Sequence, residues 1–190
     1  MLVSGPMVHN EAMTTELRPW SESDAGHLLR AFDASDDLKT QVGDTDLSTL
    51  ERCQKFIALQ LAPASSAVRN FAISVDGQAV GNVGIGSMEH HHDTGWVYYW
   101  VSVEARGRGL ASRSLASAAH WAFERCDLFR LELGHRVNNP ASCSVALNAG
   151  FAAEGIERQK LKYEHQRYDV ETHARLRSDP APKIDLLKTR

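Results

Sequence analysis

No stretch of this chain approaches the roughly 20 consecutive apolar residues that a membrane-spanning helix needs. The opening MLVSGPMVHNEAMTTE has neither a basic start nor an apolar centre, so it does not read as a secretion signal. Cysteine is scarce: Cys53, Cys126 and Cys143 are odd in number and far apart, which excludes a disulfide framework and a cysteine-based zinc motif. Charge of one sign is also missing. A formal net charge of -3 provides no basic field for nucleic acid. G-x-x-x-x-G-K-S/T does not occur, so there is no P-loop. Repeats, linkers and low-complexity runs are absent too. These absences leave an ordinary globular chain, expected in the cytoplasm, with no membrane and no nucleic acid among its partners.

What is present is one compact domain's worth of sequence: 190 residues, 43% of them apolar and 24% charged. Residues 1–13 and 179–190 read as tails around a single domain over 14–178. Strands are predicted at 15–20, 70–75, 78–89, 95–103, 129–137, 151–161 and 167–176. Asp76-Gly77 marks a two-residue hairpin between the second and third. Helices are predicted at 21–33, 46–62, 110–126 and 140–150. In the second of these Leu50, Cys53, Ile57 and Leu61 share one face. Strand 95–103, helix 110–126 and strand 129–137 form a crossover unit, so these two strands should run parallel in a mixed α/β sheet.

The segment WVSVEARGRGLASRSL, residues 100–115, carries the chemistry. Glycines 107 and 109 let backbone approach a ligand oxygen closely. A helix starting near Leu110 offers unpartnered amides and the positive end of its dipole. Arg106 and Arg108 add charge, and together this makes a pyrophosphate site. A plain strand-to-helix turn with solvated arginines is the bland alternative. Gly107, Gly109 and Ser112 also approximate the dinucleotide fingerprint G-x-G-x-x-G. That fingerprint requires a second βαβ unit and an acidic strand end, and the chain supplies neither.

Arg106-Gly-Arg-Gly-Leu-Ala111 resembles the R/Q-x-x-G-x-G/A signature of the GCN5-related N-acetyltransferases. Asn139, Ser142 and the following Gly150-Phe151 resemble that superfamily's N-x-x-S…G-F helix. Tyr99-Trp100 before the loop, and Tyr168-Asp169-Val170 with Ala174-Arg175-Leu176 near the end, are similar to its ribosomal-protein branch, the RimJ/RimL type. The resemblance spans residues 14–178. It implies a twisted, mostly antiparallel sheet of about seven strands, helices on both faces, and acetyl-CoA in a gap between splayed parallel strands. Val101 and Val103 would pair with the pantetheine. Arg106, Gly107, Arg108, Gly109, Leu110 and Ala111 would hold the pyrophosphate. Asn139 would touch the pantetheine arm, and Ser142 would serve both as a CoA contact and as proton donor to the leaving thiolate.

By the same resemblance an acceptor amine, on a protein N-terminus or a small molecule, attacks the thioester directly. The acyl group is acetyl or larger. No metal is expected, and a homodimer stays open. The usual carboxylate positions of such relatives hold Trp96 and Leu161 here, and His173 replaces a tyrosine. His135 and Glu132 are therefore the candidate bases, with a water chain as the third option. A non-catalytic acyl-CoA-binding module on the same fold is the alternative. His90-His91-His92-Asp93 reads as a solvated loop, because consecutive residues point apart and seldom share one ion. Cys143 reads as a small core residue. Trp96 is assigned to the acceptor side. Glu22, Asp24, Asp33, Asp36 and Asp37 could attract a cationic amine or simply be solvated.

Overall fold

The computed structural model describes residues 13–43 and 45–190, so the expected N-terminal tail lies, Met13 apart, outside the described residues. The elements in chain order are β1 (Thr15–Arg18), α1 (Ala25–Asp33), α2 (Asp36–Val42), α3 (Leu50–Phe56), β2 (Arg69–Val75), β3 (Gln78–Glu89), β4 (Thr94–Val101), α4 (Leu110–Arg125), β5 (Arg130–Arg136), α5 (Pro140–Asn148), β6 (Ala152–Tyr163), β7 (Gln166–Leu176) and β8 (Lys188–Thr189). They build one sheet in the order β6-β7-β5-β4-β3-β2-β1-β8. Neighbours are antiparallel except at β4–β5 and β1–β8. No helix among the described residues is long and apolar enough to cross a membrane.

The hairpin forms where Asp76-Gly77 predicts it. Both residues have positive φ, 47° and 82°, which matches the twist a two-residue turn needs. Two apolar layers hold the sheet. On one face α4 packs closely because Ala116, Ala118, Ala119 and Ala122 keep its inner surface small, and it covers Phe71, Val83, Ile85, Val97 and Leu131. On the other, Trp20, Leu28, Cys53 and Ile57 pack over Ala72 and Ala79. Leu50, assigned to that buried face, is instead exposed, because the helix begins there behind its Thr49 cap.

Three elements depart from expectation. The segment 34–45, left unassigned, contains α2. Its start was signalled by Ser35-Asp36-Asp37: the Ser35 hydroxyl accepts from the Leu38 amide, and acidic residues fill the first turn. The end of α3 widens into a π-helical turn over Ile57–Leu61. The C-terminal residues are not a loose tail. Leu187 is buried, its amide donates to the Ser117 hydroxyl at 2.7 Å, and β8 pairs in parallel with β1 as an eighth strand. The outer edge of β1 needs a partner, and Leu187 supplies the apolar anchor that brings one.

Candidate active site

β4 and β5 pair at only three positions: Thr94 with Arg130, Gly95 with Leu131, and Trp96 with Glu132. Beyond these the strands part, and a cleft of about 680 Å³ opens between them. The amide of Ser102 donates to the Val80 carbonyl at 2.8 Å, so even-numbered β4 residues bond to β3. Alternation turns the main-chain groups of Tyr99 and Val101 toward the gap, where β5 no longer meets them. The Val101 carbonyl accepts from Arg106 Nε at 3.2 Å. Val103 does not share this role. The strand has ended, and Val103 sits in a 3₁₀ turn over Val103–Ala105 with its carbonyl accepting the Arg106 amide.

At the mouth of the gap the chain turns through Gly107 and Gly109, both left-handed at φ 74° and 71°. A Cβ on either would meet nothing within 4 Å, so the space above the loop is open. Gly109 is the residue before α4, and no side chain caps that helix. Its first amides therefore point into the cleft, which Gly107, Gly109, Leu110, Ala111 and Ser112 line. Of the two arginines, Arg106 lines the cleft and Arg108 does not. Arg106 reaches across to Ser35 Oγ at 3.2 Å, and Arg108 contacts the Met13 sulfur outside the cleft.

Opposite the loop, α5 starts with Asn139 as cap, its Oδ1 accepting from the Ser142 amide at 3.1 Å, and Pro140 in the first turn. This separates the two readings of Ser142. Capping belongs to Asn139, and the Ser142 hydroxyl makes no hydrogen bond among the described residues while lining the cleft. The Tyr99 hydroxyl donates to the Ser142 carbonyl at 3.5 Å, and burial pushes the Tyr99 pKa up, keeping it a donor.

Neither candidate base presents a free lone pair to the cleft. His135 is buried. Its Nδ1 lies 3.1 Å from the Arg136 carbonyl and its Nε2 3.1 Å from His173 Nε2. Glu132 accepts from Arg130 Nε at 2.6 Å, in a network with Glu154, and is not part of the lining. The positions where relatives carry carboxylates do meet here: Trp96 and Leu161 both line the cleft, and Lys160 Nζ lies 5.3 Å from the Trp96 ring. Of the five acidic residues noted near the first helix, Asp37 alone lines the cleft, 3.7 Å from Arg106 and 3.6 Å from Arg136. Asp24 instead forms a buried two-pronged pair with Arg18 at 2.7 Å.

Tyr98 enters the cleft from β4 over Gly84, where any Cβ would strike its ring. Its hydroxyl donates to Asn70 Oδ1 at 2.9 Å. Asn70 also accepts from Asn82 Nδ2 and donates to the Gln60 carbonyl in the π-helical turn. Asn82 in turn accepts from the Trp20 indole at 2.8 Å. No sequence motif announced this network, which is buried at Trp20, Asn82 and Asn70 and reaches the surface at Tyr98. Only the register of β2, β3 and β4 brings its members together.

A parallel pair that opens after three rungs, with a glycine loop and a bare helix start at its mouth, defines a class of enzyme fold. Residues 15–152 match the model of the acetyltransferase (GNAT) domain, and the chain belongs to that family. Several named acetyltransferases are similar to it. It is 29% identical over 106 residues to the ribosomal-protein-serine acetyltransferase of Escherichia coli, covering 56% of this chain and 59% of that one. It is also 29% identical over 87 residues to the spermidine N(1)-acetyltransferase of the same organism, covering 46% and 47%. The chain thus spans less than two thirds of these relatives' length. Its fold matches Mycobacterium smegmatis RimJ in complex with CoA-disulfide at a TM-score of 0.74, with 24% identity over 86% of this chain and 82% of that one.

Proposed function

We propose that the protein is an N-acyltransferase that moves an acetyl group from acetyl-CoA to a primary amine. The observation that carries this reading is the β4–β5 gap with the Gly107–Gly109 turn at its mouth. The free amides at the start of α4 suit the pyrophosphate. The unpaired main-chain groups of Tyr99 and Val101 suit an extended, amide-bearing arm, which would bind like a strand added to the parted pair. The Arg106 guanidinium would leave the Val101 carbonyl when that arm arrives.

The amine nitrogen attacks the thioester carbonyl carbon, the carbon–sulfur bond breaks, and the thiolate takes a proton. A main-chain amide of the β4 edge stabilises the developing oxyanion. Ser142 Oγ, held at the α5 start and unused by the protein, donates to the sulfur. The amine gives its proton to solvent rather than to a side chain. His135 is buried, with Nδ1 on the Arg136 carbonyl and Nε2 turned toward His173 and Glu171, Glu132 is bound to Arg130, and Trp96 and Leu161 stand where carboxylates would serve. The acceptor enters beside Trp96, Tyr98, Tyr163 and Asp37. The named activities of the two relatives support either a protein N-terminus or a polyamine-like small amine. The composition suits a cytoplasmic enzyme.

Calorimetric titration with CoA and acetyl-CoA, followed by release of free CoA thiol in a screen of peptide N-termini and polyamines, tests the proposal. Binding with transfer is the expected result. Binding without transfer to any amine would instead favour a non-catalytic acyl-CoA module. No binding at millimolar CoA would remove both readings. With two amines of different pKa, the alkaline-rising limb of the rate should move with the amine. A limb that stays put and vanishes in His135→Gln would restore His135 as base.

A further inference from the structure

Against the expectation of no metal, we propose that His135, Cys143, Glu171 and His173 bind a single zinc ion that fastens α5 to the β5–β7 pair. His135 lies on β5, Cys143 on α5, and Glu171 and His173 on β7. Their ligand atoms all lie within 4.8 Å of one another, and among the described residues no other group of three or more such side chains converges this way.

The hydrogen bonding dictates what belongs at the centre. His135 Nδ1 faces the Arg136 carbonyl at 3.1 Å, and His173 Nδ1 faces the Phe151 carbonyl at 3.2 Å. A carbonyl accepts only, so both Nδ1 atoms must carry the hydrogen. In the neutral rings both Nε2 atoms are then bare lone pairs. They point at each other at 3.1 Å, with Glu171 Oε2 3.3 Å from one and 3.2 Å from the other. Three acceptors converge with no donor between them. Such a triangle calls for positive charge at its centre, a shared proton or a metal ion, and the presence of a thiol beside it favours the metal.

The triangle has the size of a metal site. Zinc bonds of about 2.0–2.3 Å in a tetrahedron set ligand separations of about 3.3 Å between N and O atoms and about 3.6 Å to sulfur. The three N and O edges, 3.1–3.3 Å, already match. The Cys143 sulfur needs to travel little more than about an ångström, within reach of a small side-chain adjustment. Desolvation, and the Glu171 carboxylate beside it, push the Cys143 thiol pKa up. Zinc binding would send the thiol proton to solvent, leaving one thiolate, one carboxylate and two neutral imidazoles around a divalent ion. The net charge is zero, as burial demands. One sulfur, two imidazoles and one carboxylate select zinc over magnesium or calcium. Four protein ligands close the shell, so the ion is structural and leaves no open position for substrate.

The test uses the full chain, stripped with a chelator and titrated with Zn²⁺ alone and, separately, Co²⁺ alone. One equivalent of zinc should bind and raise the Tm. Cobalt should give the intense visible bands of a tetrahedral ion plus a near-ultraviolet thiolate charge-transfer band. Cys143→Ser should erase the charge-transfer band, and both it and Glu171→Gln should weaken zinc by at least about tenfold to a hundredfold. His91→Ala/His92→Ala, which removes the exposed histidine loop, should change nothing. The pale spectrum of octahedral cobalt in the wild type would overturn the proposal and leave a proton at the centre of the cluster. So would zinc binding that survives Cys143→Ser and Glu171→Gln but disappears in the loop variant.

Discussion

The two halves of the cleft are built from different materials. The proposed donor half is mostly main chain: two left-handed glycines, the first amides of α4 and the edge of β4 beyond its pairing with β5. The proposed acceptor half is side chain: Trp96, Tyr98, Tyr163, Asp37 and Leu161, gathered from two strands and a short helix. A main-chain site tolerates most substitutions except those that add bulk or alter φ. A side-chain site changes its preferences with each substitution. One half can thus stay constant while the other is free to vary.

The largest effect should come from forcing a side chain into the donor half. Gly109→Glu puts a carboxylate into the open space where phosphate oxygens belong. CoA affinity should fall at least about a hundredfold, since the helix-start attraction becomes repulsion. The φ of 71° adds a strain of about 1–3 kcal/mol, so the fold should persist at a lower Tm. Calorimetry and thermal denaturation read the two separately, and normal CoA binding by the folded variant would show that the phosphate sits elsewhere.

Next in size is Ser142→Ala. A hydrogen bond to sulfur strengthens as thiolate charge develops, so kcat should drop by about tenfold while the KM for acetyl-CoA stays nearly unchanged. Since Asn139 holds the cap, stability should not move. Steady-state kinetics showing a pure KM effect would assign Ser142 to the donor half's binding surface only.

Gly134→Ala sharpens the comparison from the acceptor side. Its new methyl would press on Val170 at 2.9 Å and on the Trp96 ring at 3.2 Å. The KM for the amine should rise several-fold while CoA affinity holds. An equal change in both would mean the halves are not separable.

The smallest expected effect lies beside the cleft. The Arg130 guanidinium holds the Glu154 carboxyl below its ordinary pKa. A lowered folded pKa stabilises above the unfolded value, and that gain is lost as pH falls. Glu154→Gln should therefore cost about half a kcal/mol or less near neutral pH, with the gap to wild type closing in acid. Denaturant midpoints across pH check this, and a gap that widens in acid would contradict it.

The same contrast explains how much the sequence disclosed. Glycine spacing, Asp76-Gly77 and strand alternation are local signals, and they located the hairpin, the crossover and the donor loop to within a few residues. The parting of β4 from β5 was legible only through the family resemblance, and the cap at Asn139 came with the structure. The acceptor half depends on register between distant strands, which local pattern does not encode. His173 could be noted as a replacement, but nothing in the chain order showed that it faces His135 and Glu171. Arg106 lines the cleft with its guanidinium on the Val101 carbonyl and Ser35 hydroxyl, and Arg108 turns to Met13; local pattern encodes neither direction. β8 carries no sequence signal, because two residues are too few to form a pattern.

The hydrogen-bonded chain from Trp20 through Asn82 and Asn70 to Tyr98 has a thermodynamic consequence of its own. Asn70 Oδ1 accepts from two donors, and its amide satisfies a carbonyl in the π-helical turn. No member therefore has a private energy. Removing Trp20, Asn82 or Asn70 leaves a partner short of a hydrogen bond, whereas Tyr98→Phe leaves Asn70 Oδ1 its Asn82 donor, so single substitutions do not add up to the cost of removing the whole chain. Cycles pairing Tyr98→Phe with Asn82 variants should show coupling of about 0.5–3 kcal/mol. The floor of the acceptor half is thus one cooperative unit, inherited or lost together.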